Sequence, residues 1–451
     1  MKIAKLKSGK PYLFTDVQSW GGKGDNLLKL NEVFNVPQGF IISSETFTEF
    51  VNKSELSDKI SEALESSPEE AHSMIKDIFH KAKFSRDLVA RLKIEFKQIK
   101  KPMAVRSSSI DEDGSTNSFA GQHDSILGVT DFNAFLTAVK NVYASLFSQR
   151  AIQYRNRHEL TNGNAIAVVV QEMVNPIVSG VAYSPSPRDL NEILIESTWG
   201  LCTSIVEGRP CDIYRVVDTV TENIISDISQ KKNEMDVFSP IKKRIETKKV
   251  SKIKIGISSL TDEQALEVAK TIKSIERAYG MPMDMEFAYD KNSNLYVLQA
   301  RPLTGIVRNE VNIELPDVPP SRILVRSKNT RNQGIYEGPV VVVRGIDHVN
   351  RRFDVDGDLI QLNKDFKEGY ILLTPEVPPQ LEQHVSNAKA MYATECGTTG
   401  HAAAIAVEKG IIYLGRGNSN VQNLLATIRS GMRIGIAVSN DEGIIYLLDD
   451  K

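Results

Sequence analysis

His401 is the residue of this chain whose setting most invites chemistry. It lies in "ECGTTGHAAAIAVEKGIIYLGRG" (residues 395–417), between a Gly-Thr-Thr-Gly loop and an alanine run. The segment "AAAIAVEK" favours a helix that Gly410 ends, which places the imidazole at or near a helix N-terminus. The partial positive charge there disfavours imidazolium, so the ring stays neutral and nucleophilic near neutral pH. The unpaired amides of the same helix end can also hold an anionic group beside the ring. Gly397, Gly400, Ala402 and Ala403 leave room for that group and for docking against another surface. The plainer alternative is a histidine that caps or packs.

A second constellation lies in the hairpin "MDMEFAYDKNSNLYVLQARP" (283–302). Strand alternation puts Asp284 and Glu286 on one face, opposite to Met285, Phe287 and Tyr289. On the partner strand it groups Val297, Gln299 and Arg301. Buried charges need partners, and a magnesium nucleotide satisfies all four polar groups. Carboxylate and amide oxygens take the hard cation, while a guanidinium forks onto phosphate oxygens. An exposed hairpin face is the alternative.

Two upstream stretches add cations. Lys23 stands among Gly21, Gly22 and Gly24 in "SWGGKGDNLLKL", where backbone can approach a phosphate, although neither a GxxxxGK[ST] loop nor a GxGxxG turn is present. Arg106 ends the apolar strand of "MAVRSSSIDEDGSTNSFAGQHDSILGV" (103–129), and Ser107 and Ser108 open a hydroxyl-rich loop suited to closing over phosphates. A plain turn and an acidic surface loop are the respective alternatives.

Positioning these groups takes more than one domain. At 451 residues the chain suits two or three. Residues 45–100 and 131–158 read as helical, with Phe132, Phe135, Val139, Val142 and Phe147 forming an apolar stripe. "AIAVVVQEMV", "SGVAYSPSP" and "NEILIESTWG" read as strands, and a helix with a Thr261/Gln264 capping box runs up to Gly280. The proline-broken segment 306–320 predicts a stiff connector of about 50 Å at full extension. The remaining residues, with "PVVVVRG", "YILLT" and "GIIYLG", predict one compact α/β domain.

Composition narrows the partners. A net charge of −2 argues against a general polyanion binder, and the interrupted basic stretch 230–254 reads as a solvated face or loop rather than a nucleic-acid patch. Cys202, Cys211 and Cys396 form no CxxC pair, which suggests a reducing compartment and packing rather than reactivity for Cys202 and Cys396. No apolar run approaches the roughly 20 residues of a membrane span, and the N-terminus lacks a signal core. The expectation is a cytoplasmic protein without a membrane or nucleic-acid partner.

Seven ordered blocks resemble the nucleotide-binding domain of phosphoenolpyruvate synthase and its relatives, pyruvate phosphate dikinase and rifampicin phosphotransferase. They are "GGKGDNLLKLNEVFNVPQGFIIS", "AVRSSSIDEDGSTNSFAGQ", "SLFSQRAIQYR", "VVVQEMVNPIVSGVAYSPSP", "ESTWGLCTSIVEGRP", "SLTDEQALEVAKTIKSIERAYGMPMDMEFA" and "LYVLQARPLT". The resemblance implies an α/β (α+β) chain: a two-part ATP-grasp domain over 1–305 (subdomains 1–165 and 166–305), a hinge over 306–325, and a swivelling phosphohistidine domain over 326–451. It implies that Lys23 and Arg106 contact ATP phosphates and that Gln171, Glu172 and Met173 line the adenine side. Glu286 and Gln299 then hold Mg2+ with Asp284 nearby, and Arg301 steadies the phosphates. "GTTGHAAAIAVEKGIIYLGRG" is similar to the phosphohistidine signature of that family, which makes His401 the residue phosphorylated in transit. Gly400 departs from it, standing where the family usually has Ser or Cys.

The implied activity is dikinase-type phosphotransfer from ATP through His401 to an acceptor, with AMP and phosphate as co-products. The pyruvate-binding barrel and the antibiotic-binding domain of those relatives find no counterpart in the sequence. The acceptor is therefore expected on a partner subunit, on these domains' own surfaces, or on a piece beyond this sequence. Two further readings stay open: a small-molecule kinase using the same relay on an alcohol or amide nitrogen, and a phosphocarrier or regulatory subunit serving a partner protein.

Overall fold

Two antiparallel sheets with a helix between them form the first three hundred residues. The computed structural model of the chain describes residues 2–6, 16–109, 125–149, 151–153, 165–184, 192–206, 209, 211–218, 223–227, 232–303, 313–328, 330–347, 352–375, 377, 381, 387–394, 401–416, 421–439 and 442–448. The first sheet has five strands in the order Ile3–Leu6, Gly39–Ile42, Ile166–Glu172, Met103–Ser109, Ser125–Val129. One face is covered by helices Ser44–Lys53, Ser57–Leu64, Pro68–Lys81, Arg86–Gln98 and Phe132–Ser145, which build a core rich in aromatic rings. Phe47 and Tyr143 meet edge to face there with centroids 5.0 Å apart, an arrangement worth about 0.5–1.5 kcal/mol beyond area burial.

The second sheet has six strands in the order Leu295–Pro302, Met283–Tyr289, Val178–Ser184, Ile193–Trp199, Asp212–Asp218, Asn223–Asp227. Helix Asp262–Tyr279 covers one face with Ala265, Val268, Ala269, Ile272 and Ile275, a stripe at helical spacing. It starts at the expected Thr261/Gln264 capping box and ends at Gly280, whose φ of 67° is the left-handed conformation glycine adopts without strain. Helix Val17–Leu30 lies between the two sheets: Leu27, Leu28 and Leu30 share one core with Ile41 and Val169 of the first sheet and with Met285 and Ala300 of the second.

Strand Ile166–Glu172 pairs with both Gly39–Ile42 and Met103–Ser109. It completes the first sheet, so the expected subdomain division between 165 and 166 moves to the segment after Glu172. Continuous β-branched sequence made it look like the start of the second sheet. Part of the basic stretch is a hairpin, Glu234–Ser239 with Arg244–Lys249, whose lysines are exposed. Lys232, by contrast, is buried.

The C-terminal unit is a nine-stranded mixed sheet. Its long strand Gly334–Asp347 pairs antiparallel with Arg433–Val438 and parallel with Tyr370–Thr374, which is followed by the parallel strands Ala388–Ala393 and Ile412–Gly415. Helix His401–Glu408 crosses between the last two and buries Ala402, Ala403, Ile405 and Ala406 against Met391 and Tyr413. Strand Ile323–Ser327 pairs with Gly443–Leu447, and Leu315 and Val318 pack on Ile444 and Tyr446. The part of the expected hinge that is described therefore packs on this sheet through Leu315 and Val318 and joins it from Ile323, a role the prolines hid. No described helix is long and apolar enough to cross a membrane.

Candidate functional site

Strand pairing in the second sheet gathers the polar groups. Asp284 lies directly opposite Arg301 on one side and Tyr183 on the other; Glu286 lies opposite Gln299 and Val181, and Val181 opposite Glu196. Directly opposed residues share a face. Two cross-strand rows result, Arg301–Asp284–Tyr183 and Gln299–Glu286–Val181–Glu196, on the face turned away from helix Asp262–Tyr279.

Val297 does not join them. A bulge between Glu286 and Phe287 leaves Leu298 unpaired, so Val297 opposes Phe287 and lies in the helix-covered core with it. The expected grouping of Val297 with Gln299 and Arg301 is thereby corrected, while the other four residues share a face as expected.

The first sheet contributes through a glycine. Gly21 has φ 68°, and a Cβ there would stand 2.1 Å from the Ser108 carbonyl oxygen. Only glycine permits so close an approach in that conformation. The Ser108 hydroxyl donates to the Trp20 carbonyl (2.7 Å) and accepts from the Gly24 amide (2.9 Å), which pins the start of helix Val17–Leu30 to strand Met103–Ser109. Ser108 thus anchors the helix rather than closing over phosphates. Ser107, opposite Val168, faces the aromatic core. The reading of both hydroxyls as phosphate contacts is corrected: strand alternation and the helix contact claim them. The Ser/Gly-rich remainder, 110–124, lies outside the described residues.

With the helix pinned, Lys23 and Arg106 reach the second sheet. Arg106 Nη2 stands 3.4 Å from Glu286 Oε2. Arg301 Nε donates to both Asp284 oxygens, at 3.2 and 2.8 Å. Burial pushes the Asp284 carboxyl up; the Arg301 charge and hydrogen bond pull it back, Glu286 adds to the rise, and Lys23 opposes it. Lys23 is therefore within electrostatic reach of the carboxylates. Asp284, expected among the metal donors, is held by Arg301, which leaves Glu286 and Gln299 facing each other as oxygen donors.

Two groups escaped the sequence reading. Glu196 is 1% exposed in strand Ile193–Trp199; a lone carboxylate after the apolar run "ILI" was its signal. Tyr183 is pushed well above the usual phenol range by burial, Glu196 and Asp284, against Arg331 and Arg301. Cys202 likewise rises through burial, Glu286 and Glu196, with Arg106 opposing, so its thiol is protonated and suits the packing role expected of it. Cys396 lies outside the described residues.

Gln171 lies two residues along the strand from Val169, the partner of Arg106, a rise of about 7 Å. Its amide donates to the Pro37 carbonyl at 3.4 Å, while the amides of Glu172 and Met173 reach Gln38 and Pro102. These three residues sit where the chain leaves the first sheet for the second, beside the cluster rather than in it. The side chain of His401 and the loop 395–400 lie outside the described residues.

Arg106 Nε is buried with no hydrogen-bond partner among the described residues. A cationic donor in that state, next to a carboxylate and an amide oxygen, fits an anion with its cation. Among the described residues no group of three His, Cys, Asp or Glu side chains stands together as a metal cage.

The profile of the pyruvate phosphate dikinase AMP/ATP-binding domain matches residues 17–317. The phosphoenolpyruvate synthase of Escherichia coli is 30% identical over 465 residues, covering 96% of this chain and 56% of that protein. Its namesake in Pyrococcus furiosus is 29% identical over 487 residues, covering 96% and 57%. A probable phosphoenolpyruvate synthase of Pyrococcus horikoshii is 30% identical over 452 residues, covering 88% and 53%. The chain spans about half the length of these curated relatives. Among solved structures, D-alanyl-alanine synthetase A from Vibrio cholerae overlaps 50% of this chain and 49% of its own at 10% identity and a TM-score of 0.23, too slight a likeness to argue from.

Proposed function

The chain belongs to the pyruvate phosphate dikinase AMP/ATP-binding family, and from that premise we propose that it is a dikinase-type phosphotransferase that moves a phosphoryl group from ATP through His401 to an acceptor in the cytoplasm. The observation that carries this reading is the convergence of Arg106 on Glu286 across two sheets, beside the Asp284–Arg301 pair. Two guanidiniums beside these carboxylates, with Lys23 close enough to act on the Asp284 charge, support the reading, because a polyanion under nucleophilic attack needs such cations.

Residues 1–305 act as the ATP-grasp nucleotide-binding part, and the C-terminal sheet, together with the segment 313–325 that packs on and pairs with it, acts as the swivelling part. Lys23, Arg106 and Arg301 bind and orient the phosphates, and Gln171, Glu172 and Met173 line the adenine side. Glu286 and Gln299 hold Mg2+, which neutralises charge on the phosphates as they are attacked. A neutral His401 nitrogen attacks the β-phosphorus; the bond to the α,β-bridging oxygen breaks, and AMP departs with that oxygen. Water or phosphate then attacks the terminal phosphorus of the pyrophosphorylated ring and removes it. The phosphohistidine passes its remaining group to the acceptor.

The test is incubation of the full chain with magnesium and ATP labelled at the β-phosphorus. Acid-labile label on the wild type, none on His401→Asn, and AMP as the nucleotide product support the relay. ADP as the product means transfer of the γ-phosphoryl group instead, and absence of label from the wild type ends the proposal. Label that leaves only when a second protein is added identifies a phosphocarrier, whereas label lost to a metabolite alone identifies a small-molecule kinase.

A further inference from the structure

The two units touch through a residue that the relay above does not use. Arg331, 6% exposed, belongs to the short strand Thr330–Arg331 at the end of the C-terminal sheet. Its guanidinium lies over the ring of Tyr183, 6.0 Å from the centroid. Tyr183 directly opposes Asp284, which opposes Arg301. A side chain of the second unit therefore extends the cross-strand row that forms the nucleotide face of the first.

The same short strand is tied to the helix that begins at His401. Arg331 opposes Tyr413, whose ring lies in the core beneath Ala402, Ala403 and Ala406. The next residue, Asn332, has φ 47°, and its side-chain amide donates to the carbonyls of Ala406 (2.8 Å) and Ile411 (2.9 Å), locking the strand to the C-terminal end of that helix. Arg331 and helix His401–Glu408 thus move as one body, on one face of the sheet.

We propose that Arg331 is the positioning residue that registers the histidine-bearing face of the C-terminal unit against the phosphate-binding face, by seating its guanidinium on Tyr183. Arginine suits the role. It stays charged, its planar fork lies flat on an aromatic ring, and it is weakly hydrated, so burying it costs less than burying an ammonium. The inference rests on the proposed relay for its kinetic consequence alone; the docking contact is independent of it.

Three measurements on the full chain test it. In Arg331→Ala, the affinity for ATP in equilibrium binding stays within about two-fold of wild type, while labelling of His401 at saturating ATP slows by about ten-fold or more. Arg331→Lys recovers part of that rate. Tyr183→Leu slows labelling comparably, and the double variant is no slower than the worse single one, the signature of a shared contact. Small-angle X-ray scattering without turnover finds a larger maximum dimension for Arg331→Ala than for wild type. Identical scattering, additive rate losses, or an affinity loss that accounts for the whole rate loss each overturn the proposal. Absence of label from the wild type, with scattering that still separates the two proteins, defeats the relay and leaves the docking role standing.

Discussion

Arg106 and Glu286 are 180 positions apart and lie on different sheets, yet Nη2 and Oε2 meet at 3.4 Å. The contact joins the first sheet to a polar face whose other members come from neighbouring strands of one hairpin. Its geometry is loose for an ion pair, and the buried Nε of Arg106 has no partner among the described residues. A buried cationic donor of this kind suits the anionic ligand that the proposed relay requires.

If Arg106 and Arg301 are the preorganised donors for the phosphates, removing either costs roughly 3–4 kcal/mol of barrier stabilisation. Arg106→Ala and Arg301→Ala are each expected to slow labelling of His401 by about two orders of magnitude or more, with circular dichroism unchanged. Near-normal labelling in both would remove the cradle from this location. Arg301→Ala carries a second effect, because Asp284 is left buried without its guanidinium.

Gly21 and Gly280 have almost the same φ, 68° and 67°, and opposite surroundings. A Cβ on Gly280 meets nothing within 4 Å, whereas one on Gly21 meets the Ser108 carbonyl at 2.1 Å. Gly280→Ala therefore carries only the left-handed penalty of about 1–2 kcal/mol. Gly21→Ala must also push helix Val17–Leu30 off its strand, moving Lys23. Thermal unfolding should show a clearly larger loss for Gly21→Ala, accompanied by weaker ATP binding that Gly280→Ala does not share. Equal losses would mean that the helix is not pinned at Ser108.

Much of the hairpin face was legible because strand periodicity is two and the residue types alternate cleanly. Asp284, Glu286, Gln299 and Arg301 needed nothing more. Val297 was misplaced because a bulge at Leu298 has no marker in "LYVLQARP". Ser108 looked like a phosphate ligand because a hydroxyl beside an arginine carries no sign that a distant glycine turn will claim it. The Arg106–Glu286 contact and the seat of Arg331 on Tyr183 join parts of the chain that no local pattern relates. Lys232, in a stretch read as a solvated face, is buried because its partner lies twenty residues upstream, at Asp212.

Asp236 fastens the loop that carries Cys202 to the basic hairpin. Its oxygens accept from Thr203 (2.7 Å), Thr247 (2.8 Å) and both terminal nitrogens of Arg209. Burial alone would raise this carboxyl, but the hydrogen bonds from Arg209, Thr203 and Thr247 outweigh it and hold it below the ordinary aspartate value. A depressed folded-state value means stability that is fully present above about pH 4 and is lost as pH falls through the folded value. Asp236→Asn should therefore be less stable than wild type at pH 7, and the gap in melting temperature should narrow below pH 4. A gap independent of pH would assign the loss to hydrogen-bond geometry instead of charge.

Lys232 and Asp212 form an ion pair of 2.5 Å with side chains 0% and 3% exposed. Asp212 also accepts from the amide and hydroxyl of Ser259, both at 2.6 Å, and Lys232 donates to the Ile257 carbonyl at 3.2 Å. The pair ties the chain at 232 and the segment 257–259 to strand Asp212–Asp218, on the side opposite to the cleft, since Asp212 opposes Ser197 and the next residue opposes Glu196. Removing one member of such a pair strands the other charge and costs about 3–5 kcal/mol. Lys232→Met and Asp212→Leu should each lower the unfolding free energy obtained from urea titration by an amount in that range. The double variant should lose less than the sum of the two by about 2 kcal/mol or more, because neither charge is then left alone. Strictly additive losses would show that the two residues stabilise separate neighbours. Labelling of His401 per folded molecule should stay at the wild-type rate throughout, which separates this anchor from the phosphate cradle on the other face of the same sheet.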